Sequence, residues 1–174
     1  MSQEKKRIGI FGGTFNPIHY GHLIIAENAC QQYHLDQVVF LPTGHSPHKP
    51  YMGEDMSVHR CRMVECAIAD NPRFSISFEE IQNPDVNYTY KTLQVFQEKF
   101  PDSELFFILG ADSLFDFEYW RNPGEICAQA TILAAVRDNL TNKRSMNRLY
   151  ICRKNTRGRS TGWKRRTLMC QAKN

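Results

Sequence analysis

An α/β fold with a doubly wound parallel sheet is what this sequence predicts, on three observations. Short apolar runs ended by glycine or proline recur between residues 7 and 136. Between them lie stretches whose apolar residues sit three and four apart, the spacing of a helical face. The runs themselves are apolar nearly throughout, as strands are when helices cover both faces of a sheet. Parallel strands need crossovers, and alternating helices supply them. The expected architecture is Rossmann-like, with helices on both faces and its site at the carboxyl ends of the strands.

Each element can be justified in turn. Arg7-Ile8-Gly9-Ile10-Phe11, closed by Gly12-Gly13, reads as a buried first strand. Tyr20 to Tyr33 places Leu23, Ala26, Cys30 and Tyr33 on one helical face. Gln37 to Leu41 is a second strand, stopped by Pro42. Thr43 to Asp55, with Gly44, Pro47, Pro50 and Gly53, is a loop long enough to carry function. Met56 to Asp70 repeats Met63, Val64, Ala67 and Ile68 at helical spacing. Phe74, Ile76 and Phe78 alternate with serines, which predicts a strand. Tyr88 to Lys99 reads as a helix ended by Pro101, and Leu105 to Leu109 as a strand ended by Gly110. A short acidic helix follows, Pro123-Gly124-Glu125 opens another, and Thr131 to Val136 is a fifth strand.

At 174 residues the chain suits a single domain with a proper core. No apolar run approaches a membrane span, and Met1 to Arg7 does not lead into a signal-peptide core. Six scattered cysteines without a Cys-x-x-Cys pair fit a reducing, cytoplasmic setting. The formal charge of +4 hides an asymmetry. Residues 1–136 carry 10 Lys and Arg against 17 Asp and Glu, whereas residues 137–174 carry 12 against the single acid Asp138. In that last stretch only Leu140, Leu149, Ile151 and Leu168 are Leu, Ile, Val or Phe. Low apolar content with high charge predicts poor order. The expected division is therefore 1–137 as the folded domain and 138–174 as a basic, atypical tail, poorly ordered or the product of a frameshift.

The chemistry concentrates in Gly12-Gly13-Thr14-Phe15-Asn16-Pro17-Ile18-His19-Tyr20-Gly21-His22. Glycines directly after a buried strand let the backbone turn and approach a ligand. The helix that follows offers unpaired N–H groups and the positive end of its dipole, which suits phosphate. His19 and His22 are three apart at that helix start and can face one anion. Gly21 between them removes a side chain that would crowd it. No Gly-Lys-Ser/Thr follows, so this is not a P-loop, nor is it Gly-x-Gly-x-x-Gly. The blander account, a strand-to-helix turn with two surface histidines, leaves Gly-Gly, Pro17 and His-x-Gly-His unexplained together.

Gly13-Thr14-Phe15-x-Pro17-x-His19-x-Gly21-His22 resembles the signature of the nucleotidyltransferase α/β phosphodiesterase superfamily. The spelling with Gly-Gly-Thr-Phe-Asn-Pro-Ile-His is similar to that of the bacterial nicotinate-nucleotide adenylyltransferases. This resemblance covers roughly residues 7–137. It implies transfer of AMP from ATP to nicotinate mononucleotide, giving nicotinate adenine dinucleotide and pyrophosphate in NAD biosynthesis. It implies no covalent intermediate, so catalysis is positioning and charge stabilisation on phosphoryl oxygens. His19 and His22 are then the catalytic pair. Gly12, Gly13, Thr14, Phe15, His19, Gly21, His22, Gly110 and Asp112 would bind ATP. His48, Lys49, Thr89, Tyr119, Trp120 and Arg137 would bind nicotinate mononucleotide. Mg²⁺ would arrive with ATP and not on a protein site.

The supporting segments fit in order. Ser46-Pro47-His48-Lys49 is the family's Pro-Pro-His-Lys-like loop, although a loop lysine is by itself an ordinary solvated residue. Asn87-Tyr88-Thr89-Tyr90-Lys91-Thr92 resembles Ser-Tyr-Thr-x-x-Thr, with helix capping as the plainer role for Thr89. Leu109-Gly110-Ala111-Asp112 and Tyr119-Trp120-Arg121 follow the central strand, and Trp120 would otherwise be core packing. Arg60 and Arg62, near the start of the second helix, could reach phosphate, but read rather as a solvated helix face. Arg137 fits equally a substrate phosphate or a surface ion pair. The family's later Ile-Ser-Ser-Thr-x-x-Arg motif is not found.

Other readings are weighed alongside. The same chemistry could serve nicotinamide mononucleotide or phosphopantetheine. His19-x-x-His22 with His45-x-x-His48 has the spacing of a metal-binding protein. The basic tail could bind nucleic acid non-specifically, but the acidic remainder opposes it and no reader motif is present. The expected partners are therefore ATP and nicotinate mononucleotide, without nucleic acid or membrane; a homo-oligomer is compatible with all of this.

Overall fold

A computed structural model describes residues 5–47, 53–110, 113–114, 116–136, 148–154 and 168–172. Strand β1 (Lys6–Gly13) leads to helix α1 (Tyr20–Tyr33), strand β2 (Gln37–Pro42) and helix α2 (Glu54–Ile68). Strand β3 (Phe74–Ile76), the short helix α3 (Glu79–Gln82) and helix α4 (Thr89–Lys99) precede strand β4 (Ser103–Gly110). A 3-10 turn (Phe117–Tyr119), helix α5 (Pro123–Gln129) and strand β5 (Thr131–Val136) complete the expected alternation.

The five strands β1 to β5 pair in parallel, in the order β3-β2-β1-β4-β5. Side chains alternate across each strand, so the sheet feeds two cores. Phe11, Val38, Phe40, Phe106, Ile108 and Leu133 face α1 and α2. Ile8, Ile10, Val39, Leu41, Phe107, Leu109 and Ile132 face α4 and α5. Both faces are therefore covered, as the unbroken apolar runs require. The strand order reverses between β1 and β4, the topological switch point where such sheets open a crevice at their carboxyl ends.

Local differences from the sequence expectation have simple causes. Helix α2 starts at Glu54, because Gly53 turns the chain at φ 86° and two acids favour the first turn. Strand β3 ends at Ile76, and Phe78 instead precedes α3, which at four residues is too short to leave a periodic signal. Beyond β5 the sheet gains β6 (Arg148–Lys154), antiparallel to β5, and β7 (Leu168–Ala172), antiparallel to β6. A ladder is made by backbone N–H and C=O groups and does not require an apolar majority, so a patternless stretch can still pair. Among the described residues no helix is long and apolar enough to cross a membrane. Cys30, Cys61, Cys66 and Cys127 are free thiols.

Candidate active site

The carboxyl end of β1 makes the site. Gly12 and Gly13 pair with Leu41 and Pro42 of β2, and the Thr43 N–H donates to the Gly13 carbonyl at 2.9 Å. A Cβ on Gly12 would stand 3.1 Å from the Phe107 ring, so the β1 backbone lies close against β4 here. Phe15 then takes a left-handed conformation (φ 48°) while only 2% exposed. A bulky residue is strained there, and packing must hold it. Its ring meets Phe11 edge-on at 5.5 Å and His22 edge-on at 5.1 Å, which also props His22 in place.

His19 and His22 do come together. Their rings stack at 3.8 Å with 28° between planes. The His19 backbone N–H donates to Nδ1 of His22 at 3.2 Å, and the His22 N–H donates to the His19 carbonyl at 2.9 Å. With Nδ1 accepting, neutral His22 carries its proton on Nε2, which makes that nitrogen a fixed donor. Burial, and secondarily the neighbouring His19, pull the His22 pKa from 6.5 down to about 4. In the ligand-free protein His22 is thus a neutral donor at pH 7. A Cβ on Gly21 would sit 3.0 Å from the His19 ring, so this glycine serves the imidazole stack.

Arg60 corrects the sequence expectation. It is not on a solvated face: helical spacing puts it with Ser57, Cys61, Val64 and Ile68 on the buried side of α2, and it is 2% exposed. Its guanidinium donates to the Thr14 carbonyl at 2.6 Å, the Thr43 carbonyl at 2.9 Å and Ser57 Oγ at 3.1 Å. It therefore clamps the turn after β1 to the loop after β2. Arg62 is exposed, as expected.

A cleft of about 420 Å³ opens at the switch point. Gly12, Gly13 and Thr14 line one side, Thr89, Tyr119 and Trp120 another, and Ser46 and Pro47 the approach. The imidazoles are not among its lining residues; His22 packs against Phe11 and Phe15, which flank the Gly12–Thr14 turn. Thr89 is the first residue of α4, and no side chain caps that helix, so its place on the cleft is not explained by capping. Trp120 is half-buried against Phe107 and Phe117, while Tyr119 is 67% exposed. Gly110 ends β4, and a Cβ there would meet nothing within 4 Å. His48, Lys49, Asp112 and Arg137 lie outside the described residues.

Sequence reasoning missed Glu80 and Asn87, which also line the cleft. Thr92 Oγ1 donates to Glu80 Oε1 at 3.0 Å, and the Gly44 N–H also serves that carboxyl. Asn87 Nδ2 donates to the Glu80 carbonyl at 3.0 Å, and the Asn87 N–H to the His45 carbonyl at 2.8 Å. Burial, opposed by the Thr92 and Gly44 hydrogen bonds, raises the Glu80 pKa to about 7. Nothing in the sequence distinguishes Glu80 from its neighbour Glu79. Among the described residues no three His, Cys, Asp or Glu side chains gather as a metal site.

The fold is a Rossmann-like α/β sheet with a glycine turn and a cleft at its switch point, and similarity to known proteins gives the class. Residues 10–162 match the cytidylyltransferase-like family, to which this chain belongs. Within it the chain falls among the nicotinate-nucleotide adenylyltransferases. It is 46% identical over 134 residues to a probable nicotinate-nucleotide adenylyltransferase of Lachnoclostridium phytofermentans, covering 77% of this chain and 67% of that one. Over 123 residues it is 45% identical to a Synechococcus protein of the same description, with 71% and 59% covered. The chain thus spans about three fifths to two thirds of such relatives. A solved structure assigned to a Vibrio parahaemolyticus nicotinate-nucleotide adenylyltransferase superposes with TM-score 0.60 at 28% identity, over 74% of this chain and 72% of that one. Plasmodium falciparum nicotinic acid mononucleotide adenylyltransferase, solved with NaAD, shares the fold with TM-score 0.64 at 20% identity, over 81% and 69%.

Proposed function

We propose that this chain transfers the adenylyl group of ATP to nicotinate mononucleotide. The acceptor's 5′-phosphate oxygen attacks the α-phosphorus, a new phosphoanhydride forms, and the bond to the β-phosphate oxygen breaks to release pyrophosphate. One observation carries the reading: the Gly12–Thr14 turn lines a nucleotide-sized cleft, and Phe11 and Phe15 on either side of that turn pack against His22 of the imidazole stack. A phosphate on that turn meets the His22 Nε2–H from one side, while a base in the cleft meets Thr89 and Trp120. Fixed donors aimed at phosphoryl oxygens lower the barrier without reorganisation. His19 and His22 are the catalytic residues of this proposal, with Gly12, Gly13, Thr14 and Phe15 shaping the ATP side. Thr89, Tyr119 and Trp120 form the acceptor side.

The described carboxylates lining the cleft are Glu80 and Asp116, and no third His, Cys, Asp or Glu joins them as a metal site among the described residues. Mg²⁺ belongs in this reading to the substrate, as magnesium-bound ATP. The reaction is assigned to residues 1–137, with 138–174 outside it.

Pyrophosphate release from ATP, measured with nicotinate mononucleotide, nicotinamide mononucleotide and phosphopantetheine in turn, tests the proposal. Release is expected to be fastest with the first. Equal rates with all three, or none with any, would overturn it. Stoichiometric zinc on the purified protein, without turnover, would favour the metal-binding alternative.

A further inference from the structure

Arg60 is a cation taken out of water without a carboxylate. It is 2% exposed, and its described acceptors are two backbone carbonyls and one hydroxyl. None of the described ion pairs includes it. Its Nε is buried with no hydrogen-bond partner among the described atoms. Guanidinium stays charged even when burial disfavours the charge. A buried charge left with neutral partners is costly, and carbonyl dipoles offset only part of that cost. The charge sits one hydrogen bond from Thr14 and one from Thr43, which line the cleft that Arg60 itself does not line.

Resting on the proposed adenylyl transfer, we propose that Arg60 is a positioning residue whose buried positive charge is balanced by the ATP polyphosphate across the Thr14 turn. The guanidinium does not touch the anion. It acts through the turn, fixing the Thr14 and Thr43 carbonyls and with them two residues of the cleft wall. It also lends a field that solvent screens little, because water is excluded around it. His22, its pKa held down to about 4 by burial and by His19, does not supply that charge at pH 7.

Two substitutions in the full chain separate charge from clamp. Arg60→Lys keeps the charge but cannot reach both carbonyls, whereas Arg60→Gln keeps hydrogen-bonding capacity without charge. The readouts are KM for ATP, KM for the acceptor, and the shift in melting temperature given by inorganic tripolyphosphate. Arg60→Gln is expected to raise KM for ATP by about tenfold or more and to abolish the tripolyphosphate shift. KM for the acceptor should stay within about twofold in both variants. Arg60→Lys should melt lower yet hold KM for ATP within about threefold of wild type. Equal loss in both variants, or both KM values rising together, overturns the proposal. Should Arg60→Gln not fold, Arg60→Lys alone decides: a tripolyphosphate shift as weak as that of a protein lacking any anion site rejects the idea. Tripolyphosphate binding needs no acceptor, so a wild type that binds it but turns over no ATP faults the adenylyl-transfer reading and not Arg60.

Discussion

The two ends of the cleft are built on opposite plans. At the β1 end a buried cation, Arg60, is held by carbonyl oxygens, the wall is the Gly12–Thr14 turn, and the imidazole stack lies beyond it, outside the lining. At the α4 end a buried acid, Glu80, is held by a hydroxyl and an N–H, and the exposed surface is aromatic. The first end suits an anion; the second suits a flat ring. A dinucleotide-forming reaction needs both, joined where the strand order reverses.

Substitutions at the two ends should therefore fail differently. The largest effect is expected from His22→Ala, a loss of about 10²–10³ in kcat with little change in melting temperature, read in a pyrophosphate-release assay. An equal loss from Trp120→Ala would erase the distinction. Trp120→Ala should instead raise KM for nicotinate mononucleotide by about tenfold while KM for ATP holds, since one ring-stacking contact is worth about 0.5–1.5 kcal/mol beyond area.

Gly44→Ala tests the scaffold of the acid end. The added Cβ would fall 1.9 Å from the Glu80 carbonyl oxygen, so backbone must move. A destabilisation of about 1–3 kcal/mol or more is expected in denaturant unfolding. Gly21→Ala should leave stability nearly intact and lower turnover instead, because its Cβ meets only the His19 ring.

The smallest effects are in pH. Glu80 has a folded pKa near 7, above its unfolded value, so its contribution to stability is present below pH 4.5 and lost as pH rises through 7. His22 has a folded pKa near 4, below its unfolded 6.5, so its contribution is present above 6.5 and lost as pH falls toward 4. Melting curves of Glu80→Gln should lose the first slope and those of His22→Ala the second. Binding of tripolyphosphate should draw a proton onto His22 near pH 5, visible as proton uptake in calorimetry; no uptake would place the anion away from the stack.

Much of this was legible along the chain, because the relevant rules are local. Gly12-Gly13 after an apolar run gives a turn, and Ile8 and Ile10 beside Phe11 give a strand covered on both faces. His19, extended at the N-cap, and His22, in the first turn of α1, adjoin because they are three residues apart at the helix start. A helix in isolation has no inside, so Arg60 together with Arg62 reads as a solvated face. Burial was decided by α2 docking on the sheet, where Arg60 joins Ser57, Val64 and Ile68. Glu80 was missed because its partners Gly44 and Thr92 are distant in sequence.

The sequence by itself determined the strand–helix alternation, the turn after β1 and the pair of imidazoles, since each depends on residues within a few positions of one another. Only the tertiary structure decided the protonation of His22, the burial of Arg60 and the union of Glu80 with Asn87 and Thr92. Desolvation and long-range hydrogen bonding are properties of packed neighbours, and no short stretch of chain contains them.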